Sequence, residues 1–248
     1  MNQIFQRMSK PKGNKTASTG NGPVPRATIG RLSLYLRQLE SLDERGVETT
    51  SSNQMGAALG ITDAQVRRDL TYFGQFGQPG IGYQIPELIM AIRQILGTDQ
   101  PWSVALIGIG HLGRALLGYR GFVKRGFQIN HIFDHDSQVI GQVINGLTVS
   151  SINDLSDTVS VHRIKLAAVA VPASAAQEVA DLLVESGIEG ILNFAPVTLL
   201  LPDHIKLVEV NLAVQLEQLS FLVINESAMV SCSSISQAPK QDALSTNS

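Results

Sequence analysis

Between residues 28 and 97 the apolar positions recur at helical spacing, and beyond residue 102 they gather into short runs separated by amphipathic stretches. From 28 to 44, Ile29, Leu32, Tyr35, Leu36, Leu39 and Leu42 share one face of a helix that Gly46 closes. Ser51 and Gln54 have the spacing of a capping box, which satisfies free backbone N–H groups at a helix start, and they open a short helix ending at Leu59-Gly60. Thr62 and Gln65 repeat the spacing and open a third helix that runs to about Phe73. Gly74, Gly77, Gly80 and Gly82, interleaved with Tyr72, Phe76 and Tyr83, then suit a tight β-ribbon. Pro86 starts a fourth helix over 87–96, at a first-turn position that tolerates its missing N–H. The stretch 97–101 reads as a hinge.

Past the hinge the apolar runs 104–107, 128–133, 166–171 and 190–194 read as strands, with helices at about 112–124 and 173–186. Such alternation predicts a parallel sheet covered on both faces. A last helix over 211–224 carries Val214, Leu216, Leu219, Phe221 and Leu222. The predicted architecture is therefore α/β: a winged helix-turn-helix domain (28–97), a Rossmann-type parallel-sheet domain (98–210) and a C-terminal helix (211–225). The segments 1–27 and 226–248 hold too few apolar groups to offset the entropy of ordering, and are expected to be disordered.

The third helix has the division of labour that DNA reading requires. Val66, Leu70 and Phe73 lie at i, i+4 and i+7 and form its inner stripe. Gln65, Arg68 and Tyr72 fall on the opposite side, flanked by Arg67 and Thr71, where Arg and Gln can reach base edges and phosphates. A second reading stays open: Arg67-Arg68-Asp69 as a solvated face closed by a local ion pair, in a helical module that binds only proteins.

Gly108-Ile109-Gly110-His111-Leu112-Gly113 is a Gly-x-Gly-x-x-Gly string between a predicted strand and a predicted helix. In that setting backbone N–H groups at the helix start can hold a pyrophosphate. The first glycine allows the turn, the second admits the phosphate, and the third lets helix and strand pack closely. Asp134 closes the next strand, 21 residues beyond Gly113, where a carboxylate accepts from the adenosine ribose and repels a 2′-phosphate. The expected ligand is NADH or NAD+ rather than the phosphorylated form. The nicotinamide would lie at the apolar strand end Val169-Ala170-Val171-Pro172.

A dehydrogenase needs a general acid or base beside the nicotinamide. His111 falls in the phosphate loop, His131 and His135 flank the Asp134 strand end, and His162 and His204 fall in polar loops, none in a catalytic setting. No Tyr-x-x-x-Lys pair occurs. The reading is a sensor without catalytic residues; an NAD-dependent oxidoreductase with an accessory helical domain is the alternative.

Charge sharpens this modestly. Residues 1–96 hold 11 Lys and Arg against 7 Asp and Glu, and residues 97–248 hold 8 against 14, so the basic half is the one with the reading helix. The single cysteine, Cys232, rules out an intrachain disulfide and a cysteine metal site, and no metal is expected. No apolar run reaches the length of a signal peptide or a membrane span, so the expected location is the cytoplasm, with no membrane partner.

Several segments together resemble the Rex family of redox-sensing repressors: Arg31-Leu32 with Tyr35-Leu36-Arg37, Thr50-Ser51-Ser52, Gln65-Val66-Arg67-Arg68-Asp69-Leu70, Tyr72-Phe73-Gly74 with Gly80-Ile81-Gly82-Tyr83, the glycine string, and 190–196. The resemblance spans about 25–223. It implies a homodimer on double-stranded operator DNA, with the C-terminal helix swapped between partners and NADH favouring a form that leaves DNA. It further implies DNA contacts from Arg31, Ser51, Ser52, Gln65, Arg67, Arg68, Tyr72, Gly80 and Gly82. Cofactor contacts are implied for residues 108–113, Asp134, Val171, Pro172, Tyr119 and Leu212, with a switch formed by Arg37, Tyr119 and Asn211. The chain departs from the family pattern twice. Gln78-Pro79 stand where basic residues usually precede the wing glycines, which predicts a weaker electrostatic grip. Asn211-Leu212 replace an Asp-Phe pair, so the hydrogen bond to Arg37 or Tyr119 survives without its charge.

Overall fold

The computed structural model describes residues 24–78 and 80–225, and the chain divides after Pro101 into two compact units. Pro79, Cys232, the tail and nearly all of the leader lie outside the described residues.

The first unit runs α1 (Arg26–Asp43), β1 (Thr49–Thr50), α2 (Ser52–Leu59), α3 (Asp63–Thr71), β2 (Tyr83–Gln84) and α4 (Ile85–Leu96). Leu32, Tyr35, Leu36 and Leu39 of α1 pack with Met55, Val66, Leu70, Ile85, Leu88, Ile89 and Ile92 in one core. The Ser51 capping box forms in full: Ser51 Oγ accepts from the Gln54 N–H at 3.2 Å, and the Ser51 N–H donates to Gln54 Oε1 at 2.9 Å. The turn between α2 and α3 closes over Gly56, where a Cβ would come within 2.6 Å of the Ile61 carbonyl oxygen. The ribbon bridges Gln78 to Gly82, and β2 then pairs antiparallel with β1, Thr50 opposite Tyr83. Gly82 has φ +91°, and a Cβ there would strike the Thr50 carbonyl, which seats the wing against the start of α2.

Three sequence expectations shift here. The first helix starts at Arg26 instead of 28. The fourth starts at Ile85, which puts Pro86 one position in. The third stops at Thr71, and Thr62 caps it without a full box, because the Gln65 side chain turns instead to Asp69.

The second unit runs β3 (Trp102–Ile107), α5 (His111–Leu117), α6 (Gly121–Lys124), β4 (Phe127–Asp134), β5 (Val143–Ile144), β6 (Leu147–Ser151), α7 (Leu155–His162), β7 (Leu166–Val169), α8 (Ala173–Glu185), β8 (Gly190–Asn193), β9 (Lys206–Glu209) and α9 (Leu212–Ile224). The sheet order is β5-β6-β4-β3-β7-β8-β9, parallel except for the β5–β6 pair. Chain order therefore reverses beside β3, as in a doubly wound dinucleotide fold. The helix expected over 112–124 is two helices, interrupted at 118–120. Strands β5, β6 and β9 and helix α7 escaped the sequence reading, being short or only partly apolar. His162, expected in a loop, is the last residue of α7, and its ring lies 4.4 Å from that of His131 on β4. Burial and the neighbouring His162 both hold His131 below the usual imidazole range.

Candidate functional site

The helix-turn-helix is organised around a buried carboxylate. Asp69 has 0% exposure and accepts from Thr28 Oγ1 at 3.2 Å, Arg31 Nε at 2.6 Å and Nη2 at 2.8 Å, Tyr35 Oη at 2.7 Å and Gln65 Nε2 at 2.8 Å. Burial pushes its pKa up, but the hydrogen bonds from Arg31, Tyr35 and Gln65 outweigh that and hold it below the ordinary carboxylate range. Burial and the bond to Asp69 push the Tyr35 phenol up. The solvated-face reading of Asp69 is thus overturned: it faces inward and clamps α3 to α1. Arg31, expected at the DNA surface, donates to this clamp through Nε and Nη2, its side chain a quarter exposed.

Around the clamp, Arg67, Arg68 and Thr71 are exposed. Arg67 Nη1 donates to Ser52 Oγ at 2.9 Å and Asp63 Oδ2 at 2.7 Å, which ties the starts of α2 and α3 together. Arg68 projects beside them, and Tyr72 is half-buried at the helix end. Because Asp69 only accepts, it draws the Gln65 NH2 inward and leaves Gln65 Oε1 free.

In the second unit the turn after β3 is built from glycines for separate reasons. Gly108 has φ +93°, and a Cβ would lie 2.6 Å from the Ala170 oxygen and 2.8 Å from Val171 Cγ1. The loop after β3 therefore touches the end of β7 at the point where chain order reverses. A Cβ on Gly113 would collide with the Gly108 carbonyl, whereas one on Gly110 would point into open space. Close packing beneath and an empty cradle above fit a pyrophosphate.

Asp134 ends β4 with 8% exposure. Its Oδ2 accepts from the Ile109 N–H at 2.7 Å, and Oδ1 from the N–H groups of His135 at 2.8 Å and Asp136 at 2.9 Å. These bonds outweigh burial and hold Asp134 ionised, below the usual carboxylate range. Asp134 thus braces the glycine turn, a role the sequence reading missed; Oδ1 is filled by its two N–H donors, and Oδ2 keeps one further lone pair for a ribose hydroxyl. His111 and Leu112 are exposed on the first turn of α5, Val171 is half-buried, and Pro172 caps α8.

Tyr119 follows α5 and packs edge-on against Phe122, ring centroids 5.1 Å apart. Asn211 caps α9, its Oδ1 accepting from Ala213 N at 3.1 Å and Val214 N at 3.2 Å, while Leu212 is exposed. Arg37 is an exposed residue of the other unit. Among the described residues no group of three or more His, Cys, Asp or Glu could hold a metal, and no helix is long and apolar enough to cross a membrane.

Known proteins agree with both halves. A family model described as a putative DNA-binding protein N-terminus matches residues 23–71, and one described as a CoA binding domain matches 99–197. The redox-sensing transcriptional repressor Rex of Pelotomaculum thermopropionicum is 45% identical over 205 residues, 83% of this chain and 96% of its own length. The chain belongs to the Rex family. Another Rex, from Streptomyces avermitilis, is 39% identical over 214 residues, 86% of this chain and 84% of that one. Among solved structures, the Rex-family repressor RSP in complex with β-NAD+ and operator DNA superimposes with a TM-score of 0.78 at 35% identity, covering 88% of this chain and 100% of that one. RSP with β-NADH gives a TM-score of 0.76 at 34% identity, covering 85% and 99%.

Proposed function

We propose that this chain is a transcriptional repressor that binds operator DNA through α3 and the wing, binds NADH and NAD+ at the glycine turn, and leaves DNA in its NADH-bound form. One observation carries the reading: a clamped reading helix and a glycine cradle braced by an ionised carboxylate occur in one chain. Arg68, Arg67 and Gln65 would reach base edges and phosphates. Ser51, Ser52 and Tyr72 would border them, with Gly80 and Gly82 shaping the wing. Gly108, Gly110, Gly113 and the N–H groups of α5 would hold the pyrophosphate, Asp134 the adenosine ribose, and Val171, Pro172, Tyr119 and Leu212 the nicotinamide end. The protein binds the dinucleotide as an effector and consumes none of it.

Leu212, Leu216, Leu219, Phe221, Leu222 and Ile224 of α9 are all exposed in the single chain. A homodimer in which α9 is swapped would cover them, and a repressor of this family, which acts on DNA, would work in the cytoplasm. The deciding experiment measures binding to a palindromic operator with and without NADH at fixed salt. Release by NADH is expected; NADH turnover with a substrate, or operator affinity blind to NADH, would overturn the reading.

Two variants refine it. Arg68→Ala should weaken operator binding about 10- to 100-fold while NADH affinity, read by fluorescence, stays as it was; an unchanged operator affinity removes Arg68 from readout. Asn211→Asp keeps the α9 cap and restores a charge. It should widen the gap between operator affinities with and without NADH by about tenfold, since a hydrogen bond to a charged group exceeds its neutral counterpart. A gap no wider than in the parent protein would exclude Asn211 from the switch.

A further inference from the structure

A Cβ placed on Gly121 would fall among Cζ, Cε1 and the hydroxyl of Tyr119, so the phenol ring lies directly over the first residue of α6. No backbone need accounts for this glycine, because Gly121 is not among the residues with positive φ. The nearest atoms that a side chain would meet all belong to the Tyr119 ring. On its other flank the ring meets Phe122 edge-on, 5.1 Å between centroids. Yet Tyr119 is 60% exposed, so little besides these two neighbours fixes where its hydroxyl points.

We propose that Gly121 is a positioning residue, whose bare Cα, together with the Phe122 ring, forms a seat that sets the Tyr119 ring in place. The inference rests on the reading of Tyr119 as a residue of the cofactor site and switch, and says what holds it there. A half-exposed tyrosine samples several staggered χ1 wells unless something excludes them. With a methyl at position 121 the observed well is closed, and the ring must swing toward solvent. The fold should survive, because the clashing group is the far end of a mobile side chain.

Gly118 supplies a matched control in the same loop. It has φ −78°, and a Cβ there would make only ordinary contacts, 3.6 Å from the Ala115 and Arg114 oxygens and 3.8 Å from Asn145 Nδ2. Gly121→Ala, Gly118→Ala, Tyr119→Ala and the double variant Gly121→Ala with Tyr119→Ala would be made in the full chain. Each is followed by NADH-driven release from the operator, and the first two also by 19F NMR of 3-fluorotyrosine-labelled protein, with Tyr119→Phe assigning the resonance. Gly121→Ala should move the Tyr119 signal and raise the NADH needed for half-release about 2- to 30-fold; Gly118→Ala should do neither. In the Tyr119→Ala background the Gly121 change should add nothing, because it acts only through the ring.

A Tyr119 resonance unmoved by Gly121→Ala, or a Gly121 effect that persists without Tyr119, overturns the seat. If Tyr119→Ala releases as the parent does, Tyr119 is no switch and the positioning role falls with it. If the parent itself is not released by NADH, the proposed function fails, while the 19F signal still decides whether the seat exists.

Discussion

Asp69→Ala is expected to abolish operator binding while NADH binding persists. The carboxylate is wholly buried and accepts hydrogen bonds from Thr28, Arg31, Tyr35 and Gln65. Its removal leaves an Arg31 side chain of 25% exposure and a buried phenol without an acceptor. Breaking a buried ion pair from one side costs about 3–5 kcal/mol. A small domain has roughly 5–15 kcal/mol in total, so a large share of the first unit's stability goes, and the orientation of α3 on α1 goes with it. The glycine turn lies in the other unit and keeps its own core. Melting curves should show the loss, with NADH fluorescence titration as the internal control; full operator affinity in Asp69→Ala would end the clamp's claim.

The same carboxylate sets an acid limit. Its folded pKa lies below the unfolded value of about 3.9, so its contribution is complete above about pH 4 and declines as pH falls through the folded value. Asp69→Asn, which cannot ionise, should therefore narrow its deficit against the parent as the pH is lowered below about 4.

What the sequence disclosed, and what it hid, divides along physical lines. The Ser51–Gln54 box, the glycine turn and the α1 stripe depend on residues close in the chain, and spacing alone exposes them. Strands β5, β6 and β9 are held by sheet neighbours and carry little pattern of their own, so they passed unseen. The Asp69 clamp joins residues 38 and 41 apart, so spacing alone could not pair Arg31 with Asp69 and left the solvated-face reading of Asp69 open. A cue was present all the same: Asp69 follows Val66 by three and adjoins Leu70, both on the buried stripe, so a carboxylate there needed a buried partner. Asp134 was placed correctly at its strand end, but its brace to Ile109 requires the fold to bring strand end and turn together.

The glycine turn allows packing and ligand contact to be separated by a methyl group. Gly113→Ala gains at most about 1 kcal/mol of helix propensity, and against that its Cβ meets the Gly108 carbonyl, backbone against backbone, with no flexible side chain to yield. The clash wins: α5 must lift from β3, and NADH affinity should fall together with the melting temperature. Gly110→Ala differs, because φ −71° suits alanine and a Cβ there meets no protein atom within 4 Å. Its melting temperature without ligand should match the parent, yet NADH binding should drop, since the methyl would occupy the space proposed for the pyrophosphate. In either variant the repressor should hold its operator regardless of added NADH, as Asp69, Arg67 and Arg68 are untouched. A Gly110→Ala protein that binds NADH as the parent does would show that the dinucleotide sits elsewhere.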